Sequence, residues 1–349
     1  MLDNQSSPTS RPLRAVSVVA GVAGAILFAW SMEHAGTTAV ADGFRRIGSG
    51  VIVVVLLGGV RALVRTAAWR LCFDPEDRLP LRSMLAAYLA GDAIGNVTPF
   101  GFLISEPSKI VMVRERVSAQ ASIVSLALEN LFYSATVVVM LIAGTGALLL
   151  SFPLARPLRI AGVVVVLVIL LVAAASAWIV ATRRRVVSGA IEWLARHRIA
   201  PRFVVQRLPD IRQAGDRIFG FALRRPRAVV PLLLLETSYH VAAIAEIWFA
   251  LGLITGGRPP LLTAFVLEAV NRTITTVFQF VPLWLGVDEA GTAALTSAVH
   301  LGSAAGVSLA LVRKTRVVIW TAIGFLLLLR RGWSVGAAGR QAGVVVASE

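Results

Sequence analysis

Two apolar stretches of the sequence repeat a proline followed seven residues later by a glutamate. Pro99 precedes Glu106, and Pro282 precedes Glu289. A carboxylate at a helix N-terminus is stabilised by free backbone amides and by the helix dipole. The same helix end attracts a phosphate group. The spacing therefore fits either a capped, buried helix end or one wall of a phosphate-binding cavity, and both interpretations stay open.

The residue before each glutamate supports the idea that a helix begins there. Ser105 and Asp288 are both of the types that cap helix N-termini, and Pro107 is tolerated in a first turn. We therefore predict that each glutamate opens a short helix after a break marked by the proline.

Arginines lie inside apolar segments, where a charge costs at least about 2.5–3.5 kcal/mol. Arg61 and Arg65 share one helix face, Arg313 and Arg316 share another, and Arg272 stands alone. Arginine stays charged and binds phosphate through two parallel hydrogen bonds, which suits a lipid headgroup. Arg65 and Arg316 are the candidates for reaching the membrane interface instead. The other alternative is structural pairing with the carboxylates Glu129, Glu236, Glu246 and Glu268.

Two more polar pairs interrupt apolar helices. Glu129 stands beside Asn130, and a spanning helix gains nothing from an unpaired carboxylate, so we interpret the pair as a site or gate. His240 follows Glu236 by four residues, on one helix face. That pair fits either a proton relay or a hydrogen-bonded structural contact.

The composition requires a membrane around these residues. Hydrophobic residues make up 57% of the 349 positions and charged residues only 15%, against about 25% in ordinary globular domains. The mean hydropathy is +0.78. The fold class predicted is an all-α polytopic membrane protein, because the apolar runs reach about 20 residues, the length that crosses hydrocarbon.

Charge and motif content exclude several functions. The net charge of +15 comes almost entirely from arginines that flank apolar runs, which indicates loops facing anionic lipid rather than nucleic acid. One cysteine, Cys72, rules out an internal disulfide and a cysteine-rich metal site. The sequence has no phosphate-binding loop, nucleophile elbow or zinc-binding His-Glu-x-x-His run. We therefore expect no cofactor, no metal and no enzymatic activity.

Six segments are predicted to span the membrane, and two more are apolar but broken. The spans are Ala15–Met32, Ser49–Trp69, Ser118–Leu150, Ile160–Ala181, Ala228–Leu251 and Ala304–Leu329. The broken segments, 83–113 and 261–301, contain many glycines, prolines and polar residues. Broken backbone at membrane depth persists only where it is buried in protein or lines a wet cavity. Both are predicted to be re-entrant hairpins of two half-helices.

Arginine-rich loops predict the orientation. The predicted divisions are a tail (1–14), a first half (15–182), a basic linker (183–227), a second half (228–330) and a second tail (331–349). The linker and both termini should be cytoplasmic in a bacterial inner membrane, and the linker should include short helices on the membrane surface. The hairpins would then open from opposite sides as an inverted repeat, the architecture that places transporter substrates near the midplane.

The motifs around the two breaks resemble a known family. The stretches Asn96–Gly101, Glu106–Lys109 and Ala127–Leu131, and then Val281–Glu289, resemble the flippase-like transmembrane domain of bacterial lysylphosphatidylglycerol synthases. Arg313 stands where that family commonly has an arginine. The resemblance spans Ser49–Leu329 and implies a stand-alone member that lacks the aminoacyltransferase domain.

The sequence departs from that family at both breaks. The family usually has a glycine pair before the first glutamate, where this chain has Leu103, Ile104 and Ser105. It usually has glycine after the second proline, where Leu283 and Trp284 follow here. Both changes add bulk near a headgroup path, so the identity of the lipid is not carried over.

The leading hypothesis is translocation of a phospholipid or another phosphate-bearing lipid across the inner membrane. One alternative is a proton-coupled transporter of a small polar solute, with Glu236 and His240 in the coupling path. The other is a non-catalytic membrane partner of a lipid-modifying or glycosyltransferase enzyme. Expected partners are membrane lipids as substrate, with a lipid-modifying enzyme or a second copy as possible protein partners. The candidate substrate-binding residues are Arg61, Glu106, Lys109, Glu129, Asn130, Glu268, Asn271, Arg272, Asp288, Glu289 and Arg313.

Overall fold

The structure is a computed structural model that describes residues 23, 25–98, 101–181, 189, 192–193 and 208–330. The described residues form α-helices joined by short connections, and residues 25–35 form a helical stretch before the first labelled helix. The helices in chain order are α1 (Thr37–Ile47), α2 (Gly50–Cys72), α3 (Leu81–Val97), α4 (Phe102–Val113), α5 (Ala119–Ser151), α6 (Arg156–Ala181), α7 (Leu208–Arg224), α8 (Pro226–Thr255), α9 (Leu261–Val277), α10 (Val287–Ala298) and α11 (Ser303–Arg330).

Local sequence explains where several helices begin and end. The Ser118 hydroxyl accepts a hydrogen bond from the Ala121 amide and caps α5. Helix α8 begins at Pro226, whose missing N–H is no loss in a first turn. It ends before Gly256, which adopts the left-handed conformation (φ 70°) that favours glycine.

The predicted all-α polytopic class is confirmed. Within the described residues, four helices are long and apolar enough to cross a membrane: α2, α5, α8 and the Arg156–Ile179 part of α6. Helix α11 is also long, at 28 residues, but three cations stand in its middle. Half of the predicted span Ala15–Met32 and about half of the basic linker lie outside the described residues, as do both predicted tails.

Helices α2 and α8 run antiparallel and define the two ends of the bundle. The start of α2 contacts the end of α8, where an added Cβ on Gly50 would meet Leu253. The end of α2 contacts the start of α8, where Cys72 and Leu232 share one apolar cluster. We call the end where α2 stops and α8 starts the linker face, and the other end the opposite face.

The two broken segments form helical hairpins that enter from different faces. Helix α3 begins shortly after α2 ends, at the linker face, and α4 folds back along α3, with Gly91 against Lys109 and Gly95 against Ser105. Helix α9 begins shortly after α8 ends, at the opposite face, and α10 folds back along α9, with Gly291 against Ile274. The chain therefore turns back twice inside the bundle, once from each face.

Each hairpin base is surrounded by its own apolar cluster. At the linker face Met84, Val113 and Leu328 pack with Trp69 and Phe73. At the opposite face the cluster is built from α2, α8, α9, α10 and α11, and its members include Ile247, Leu251, Leu267, Val299 and Leu309. The ionisable side chains lie between these two clusters, so the centre of the bundle is a polar layer between apolar ends.

Sidedness is directly testable with single cysteines in a Cys72→Ala background. Glu115 is an exposed loop residue just after the first hairpin, at the linker face. Gly257 is an exposed loop residue just before the second hairpin, at the opposite face. We expect an impermeant maleimide to label Gly257→Cys on intact spheroplasts, and Glu115→Cys only after permeabilisation, because the arginine distribution predicts a cytoplasmic linker face. Labelling of both variants from the same side would contradict the opposed hairpins.

Close packing between α11 and α3 predicts a strong asymmetry between two glycine substitutions. An added Cβ on Gly324 would overlap the Leu89 carbonyl and lie 2.7 Å from the Ala93 Cβ, whereas one on Gly146 meets nothing. Gly324→Ala should destabilise the protein by about 1–3 kcal/mol through overpacking. Gly146→Ala should be neutral or stabilise by about 0.5–1 kcal/mol, because glycine is unfavourable inside a helix. Thermal unfolding in detergent micelles measures both, and equal midpoints would refute the contact.

Candidate functional site

The first hairpin carries a lysine shared by two carboxylates. The Lys109 ammonium lies 2.9 Å from Glu106 Oε1 and 3.0 Å from Asp92 Oδ1. Asn130 on α5 donates a hydrogen bond to the other oxygen of Glu106 at 3.3 Å. The lysine side chain is only 4% exposed, whereas those of Asp92 and Glu106 are 36% and 30% exposed. The accessible charge of this group is therefore negative, with the cation held behind it.

A second ion pair joins α2 to α5 beside this hairpin. Arg65 Nε lies 2.5 Å from Glu129 Oε1, and both side chains are buried. The Arg65 guanidinium also lies 3.7 Å from the centre of the Tyr133 ring, a cation–π contact. Arg65 is thus fixed by one carboxylate and one aromatic face.

The centre of the bundle holds a carboxylate between two arginines. Glu246 on α8 forms ion pairs with Arg61 on α2 at 3.0 Å and with Arg316 on α11 at 2.8 Å. Arg61 also donates to the Tyr239 hydroxyl at 2.9 Å. Arg65 and Arg316 are therefore buried and paired, and the prediction that they reach the membrane interface is wrong.

Arg272 on α9 completes the central group. It pairs with Glu268 one turn earlier at 2.7 Å and donates to the Tyr239 hydroxyl at 3.5 Å. Arg61, Arg272 and Arg316 face only two carboxylates in this group, Glu246 and Glu268. This group therefore has one cation more than carboxylates, and the adjoining Lys109 group has one carboxylate more than cations.

The second hairpin is tied to α11 by its own ion pairs. Arg313 donates to Asp288 at 2.6 Å and to the Thr292 hydroxyl at 2.7 Å. Lys314 pairs with Glu289. The Glu289 carboxylate also accepts the Gly286 backbone N–H at 2.7 Å, which satisfies a free amide at the start of α10. Glu289 thus caps a buried helix end, the first of the two interpretations of its spacing.

Contacts around the two glutamates correspond between the halves. Glu106 is bonded to a side chain 24 residues later on α5, and Glu289 to one 25 residues later on α11. Each glutamate therefore contacts a polar residue of the next long helix at nearly the same spacing in both halves.

The predicted helix starts are wrong by several residues in the first hairpin. Helix α4 begins at Phe102 with Gly101 as its N-cap, so Glu106 and Ser105 lie inside the helix rather than at its start. The four residues before Glu106 are mostly apolar and belong to the helix, whereas the sequence-based prediction placed them in the break. In the second hairpin the N-cap is Gly286, and Asp288 lies within the first turn.

The two hairpin tips meet at one cavity of about 550 Å³. Gly95 and Thr98 line it from the first hairpin, and Gln279, Leu283 and Trp284 line it from the second. Helices α5 and α6 contribute an apolar wall. We call this space the large cavity; its charged wall carries Arg65, Asp92, Glu106, Lys109 and Arg272.

A smaller space of about 210 Å³ adjoins the large cavity, and we call it the arginine chamber. Arg61, Arg272 and Arg316 line it, together with Asn271. The two spaces share seven lining residues: Tyr88, Asp92, Asn96, Tyr239, Arg272, Thr275 and Trp284. Among the described residues the Asn271 Oδ1 atom and the Arg272 Nε atom have no hydrogen-bond partner. Unpaired polar atoms of this kind are expected where a ligand or water binds.

The structure divides the candidate residues into two sets. Those that line the large cavity or the arginine chamber are Arg61, Glu106, Lys109, Asn130, Asn271 and Arg272. Those that line neither are Glu129, Glu268, Asp288, Glu289 and Arg313. In this second set Arg313 and three of the carboxylates form ion pairs between helices, whereas Glu268 pairs with Arg272 within α9. A role in substrate binding stays a prediction for both sets.

Sequence reasoning missed the aromatic part of the site. The chain has three tyrosines, and Tyr88, Tyr133 and Tyr239 all line the large cavity. The available signal was their position: each lies within a turn or so of an ionisable residue inside a long apolar run.

The predicted hydrogen-bonded contact between Glu236 and His240 is wrong. His240 Nε2 lies 3.1 Å from the Thr136 hydroxyl, and the Glu236 oxygens have no hydrogen-bond partner among the described residues.

The second hairpin tip departs from ordinary backbone conformations. Leu283 and Trp284 have φ of 52° and 50°, in the left-handed region that normally favours glycine. The Trp284 indole N–H donates to the Thr275 carbonyl at 3.0 Å and holds the ring at the boundary of both spaces. These are the positions where the resembling family usually has glycine, so the chain keeps a glycine-like backbone while adding two large side chains.

Breaking the central ion pairs should lower the stability of the protein strongly. Glu246→Ala leaves Arg61 and Arg316 without their carboxylate, and removing one partner of a buried pair costs about 3–5 kcal/mol. The matched control is Asp42→Asn, which removes an exposed pair with Arg45 at 3.7 Å and should change stability little. Thermal unfolding in micelles distinguishes them, and a Glu246→Ala midpoint equal to that of Asp42→Asn would contradict the pairing.

Comparison with known proteins gives one match. A family model described as the lysylphosphatidylglycerol synthase TM region matches residues 15–325. No curated protein matches the chain, and no solved structure does.

Proposed function

The chain belongs to the lysylphosphatidylglycerol synthase transmembrane-region family, and from this premise we propose that it translocates a phosphate-bearing lipid across the bacterial inner membrane. The family places it among membrane proteins related to lipid metabolism or transport. The proposal adds a path for the headgroup: through the large cavity, with the phosphate held at the arginine chamber. Translocation of this kind needs no bond to be made or broken, so we propose a transporter rather than an enzyme.

The observation that supports the proposal most is the convergence of three guanidinium groups on the arginine chamber. Arg61, Arg272 and Arg316 line it, and their carboxylate partners are Glu246 and Glu268. A phosphate bound in the chamber would face these guanidinium groups, with Asp92 at the boundary to the large cavity. Guanidinium groups also suit phosphate better than ammonium groups do, because they offer two parallel donors. Arg313, predicted to attract phosphate, is paired with Asp288 away from both spaces and is not part of this site.

The large cavity complements the chamber in charge. Its accessible charged atoms include the carboxylates of Asp92 and Glu106, whereas Lys109 is buried behind them. A headgroup with its phosphate at the chamber would direct its outer part toward these carboxylates. That arrangement favours headgroups whose outer part donates hydrogen bonds or carries positive charge, and it disfavours a second anionic group.

Helix α6 offers a lateral route for the acyl chains. Val168, Ile169 and Val172 on α6 line the large cavity, and the most apolar stretch of this helix has none of its residues buried in the bundle. Helix α6 therefore faces lipid on its outer side and the cavity on its inner side. During translocation the acyl chains have to extend from the cavity into the surrounding bilayer while the headgroup stays inside. Helix α6, which separates the cavity from lipid, is suited to that role.

Adjacent valines on α5 provide a matched test. Val138 lines the large cavity, whereas the side chain of Val139 is 68% exposed on the lipid-facing side. Val138→Trp should fill the path and slow translocation by at least about tenfold, equivalent to a barrier higher by about 1.4 kcal/mol. Val139→Trp should leave the rate close to wild type, because the added ring lies in lipid.

The assay measures loss of fluorescence from dye-labelled phosphatidylethanolamine and phosphatidylglycerol when a membrane-impermeant reductant attacks the outer leaflet of proteoliposomes. Rates are compared at equal amounts of folded protein, verified by size-exclusion chromatography. Equal slowing by both tryptophans would argue against a path through the large cavity. Wild-type protein that moves no phospholipid but takes up a polar solute would favour the solute transporter, and co-purification with a lipid-modifying enzyme without transport would favour the partner role.

A further inference from the structure

Glu236 on α8 differs from the other buried carboxylates of the described residues. Its side chain is fully buried, and neither carboxyl oxygen has a hydrogen-bond partner. The remaining buried carboxylates each form an ion pair with a lysine or an arginine: Glu129, Glu246, Glu268, Asp288 and Glu289. An unpaired carboxylate in a dry interior is strongly unfavourable, and such a group takes up a proton instead.

The surroundings of Glu236 contain one cation for two carboxyl groups. Its charged neighbours are Arg65 on α2 and Glu129 on α5. The nearby titratable groups are Cys72, which is also on α2, and His240, one turn along its own helix. Arg65 already pairs with Glu129, so Glu236 is left to carry its proton. A loss of that proton would place two carboxylates in competition for one guanidinium.

Arg65 connects this group to the large cavity. Its guanidinium lies on the Tyr133 ring, and both residues line that cavity. A change in the partner of Arg65 therefore changes the cavity wall. Movement toward Glu236 would withdraw positive charge from the side of the cavity that holds Asp92 and Glu106.

A separate cavity of about 360 Å³ opens at the linker face. Its outer part is lined by Asp74, Glu76 and Arg217, and its inner part by Cys72 and Leu128. Cys72 and Leu128 pack in one apolar cluster with Leu232 and Leu235, which precede Glu236 on α8. Water in this cavity would offer a proton acceptor on the linker-face side of that cluster.

We propose that Glu236 is a proton-binding site that couples lipid translocation to the pH at the linker face. In the coupling step Glu236 releases its proton into the linker-face cavity, and the resulting carboxylate draws Arg65 away from Glu129 and Tyr133. Uptake of a proton reverses the step and returns Arg65 to Glu129. This coupling rests on the proposed lipid translocation, and it makes the rate of that transport depend on the pH at the linker face.

The protonation of Glu236 is tested without any transport measurement. Infrared difference spectra of the purified full chain between low and high pH should contain a protonated-carboxyl C=O band that disappears at high pH. The band should be absent in Glu236→Gln and retained in Glu115→Gln, which removes an exposed carboxylate. Glutamine has the shape of the protonated acid, so the variant should fold. An unchanged band pattern in Glu236→Gln would overturn the proton site.

Coupling is tested by the translocation assay at a series of pH values. The wild-type rate should change with pH by up to about tenfold per unit, the limit for one proton, whereas Glu236→Gln should vary less than about twofold over the same range. Glu115→Gln should follow the wild type. Wild-type translocation at a pH-independent rate would overturn the coupling and leave the proposed function intact. A wild type that moves no lipid at any pH would overturn the proposed function, and the infrared result would still decide the proton site.

Discussion

A charged side chain in the middle of an apolar bundle needs an opposite charge beside it, and the helices of this protein are held in register by that requirement. Arg61 and Arg316 reach one carboxylate, Glu246, from two different helices. Arg65 and Glu129 connect α2 to α5 in the same layer. Each of these contacts is long-range, so a shift of any one helix would leave a buried charge unpaired, at a cost of several kcal/mol. The pairs therefore specify the arrangement more than they stabilise it.

The broken hairpins depend on the same layer. Interrupted backbone leaves N–H and C=O groups that lipid cannot satisfy. Here the breaks lie next to polar side chains: the Trp284 indole bonds to the Thr275 carbonyl, and the Asn96 amide donates to the Thr321 hydroxyl. Apolar clusters surround the bases of the hairpins, where the backbone is regular. The polar centre and the apolar ends of the bundle together allow each hairpin to enter from its own face, turn back near the middle and leave a cavity between the two hairpin tips.

The sequence was sufficient to predict the elements but not their partners. Apolar runs of spanning length located the long helices to within a few residues, and clusters of glycine, proline and polar residues located both hairpins. The pairing of Arg61 with Glu246 joins residues 185 positions apart, and no local pattern selects that glutamate over Glu268. The start of α4 was misplaced because the residues after Gly101 are compatible with either a break or a helix. Tyr239 was overlooked because its hydroxyl acquires importance only once Arg61 and Arg272 converge on it.

The distribution of the tyrosines has a practical consequence. All three tyrosines of the chain line the large cavity, and Tyr88 and Tyr239 also line the arginine chamber, so a spectroscopic label incorporated at every tyrosine reports from these two adjoining spaces. Fluorotyrosine incorporated during expression would thus give a fluorine NMR spectrum whose few resonances all arise from the cavity wall. Occupancy of the cavity, its hydration and the rotation of its aromatic side chains become observable in the unmodified sequence, without a single engineered substitution.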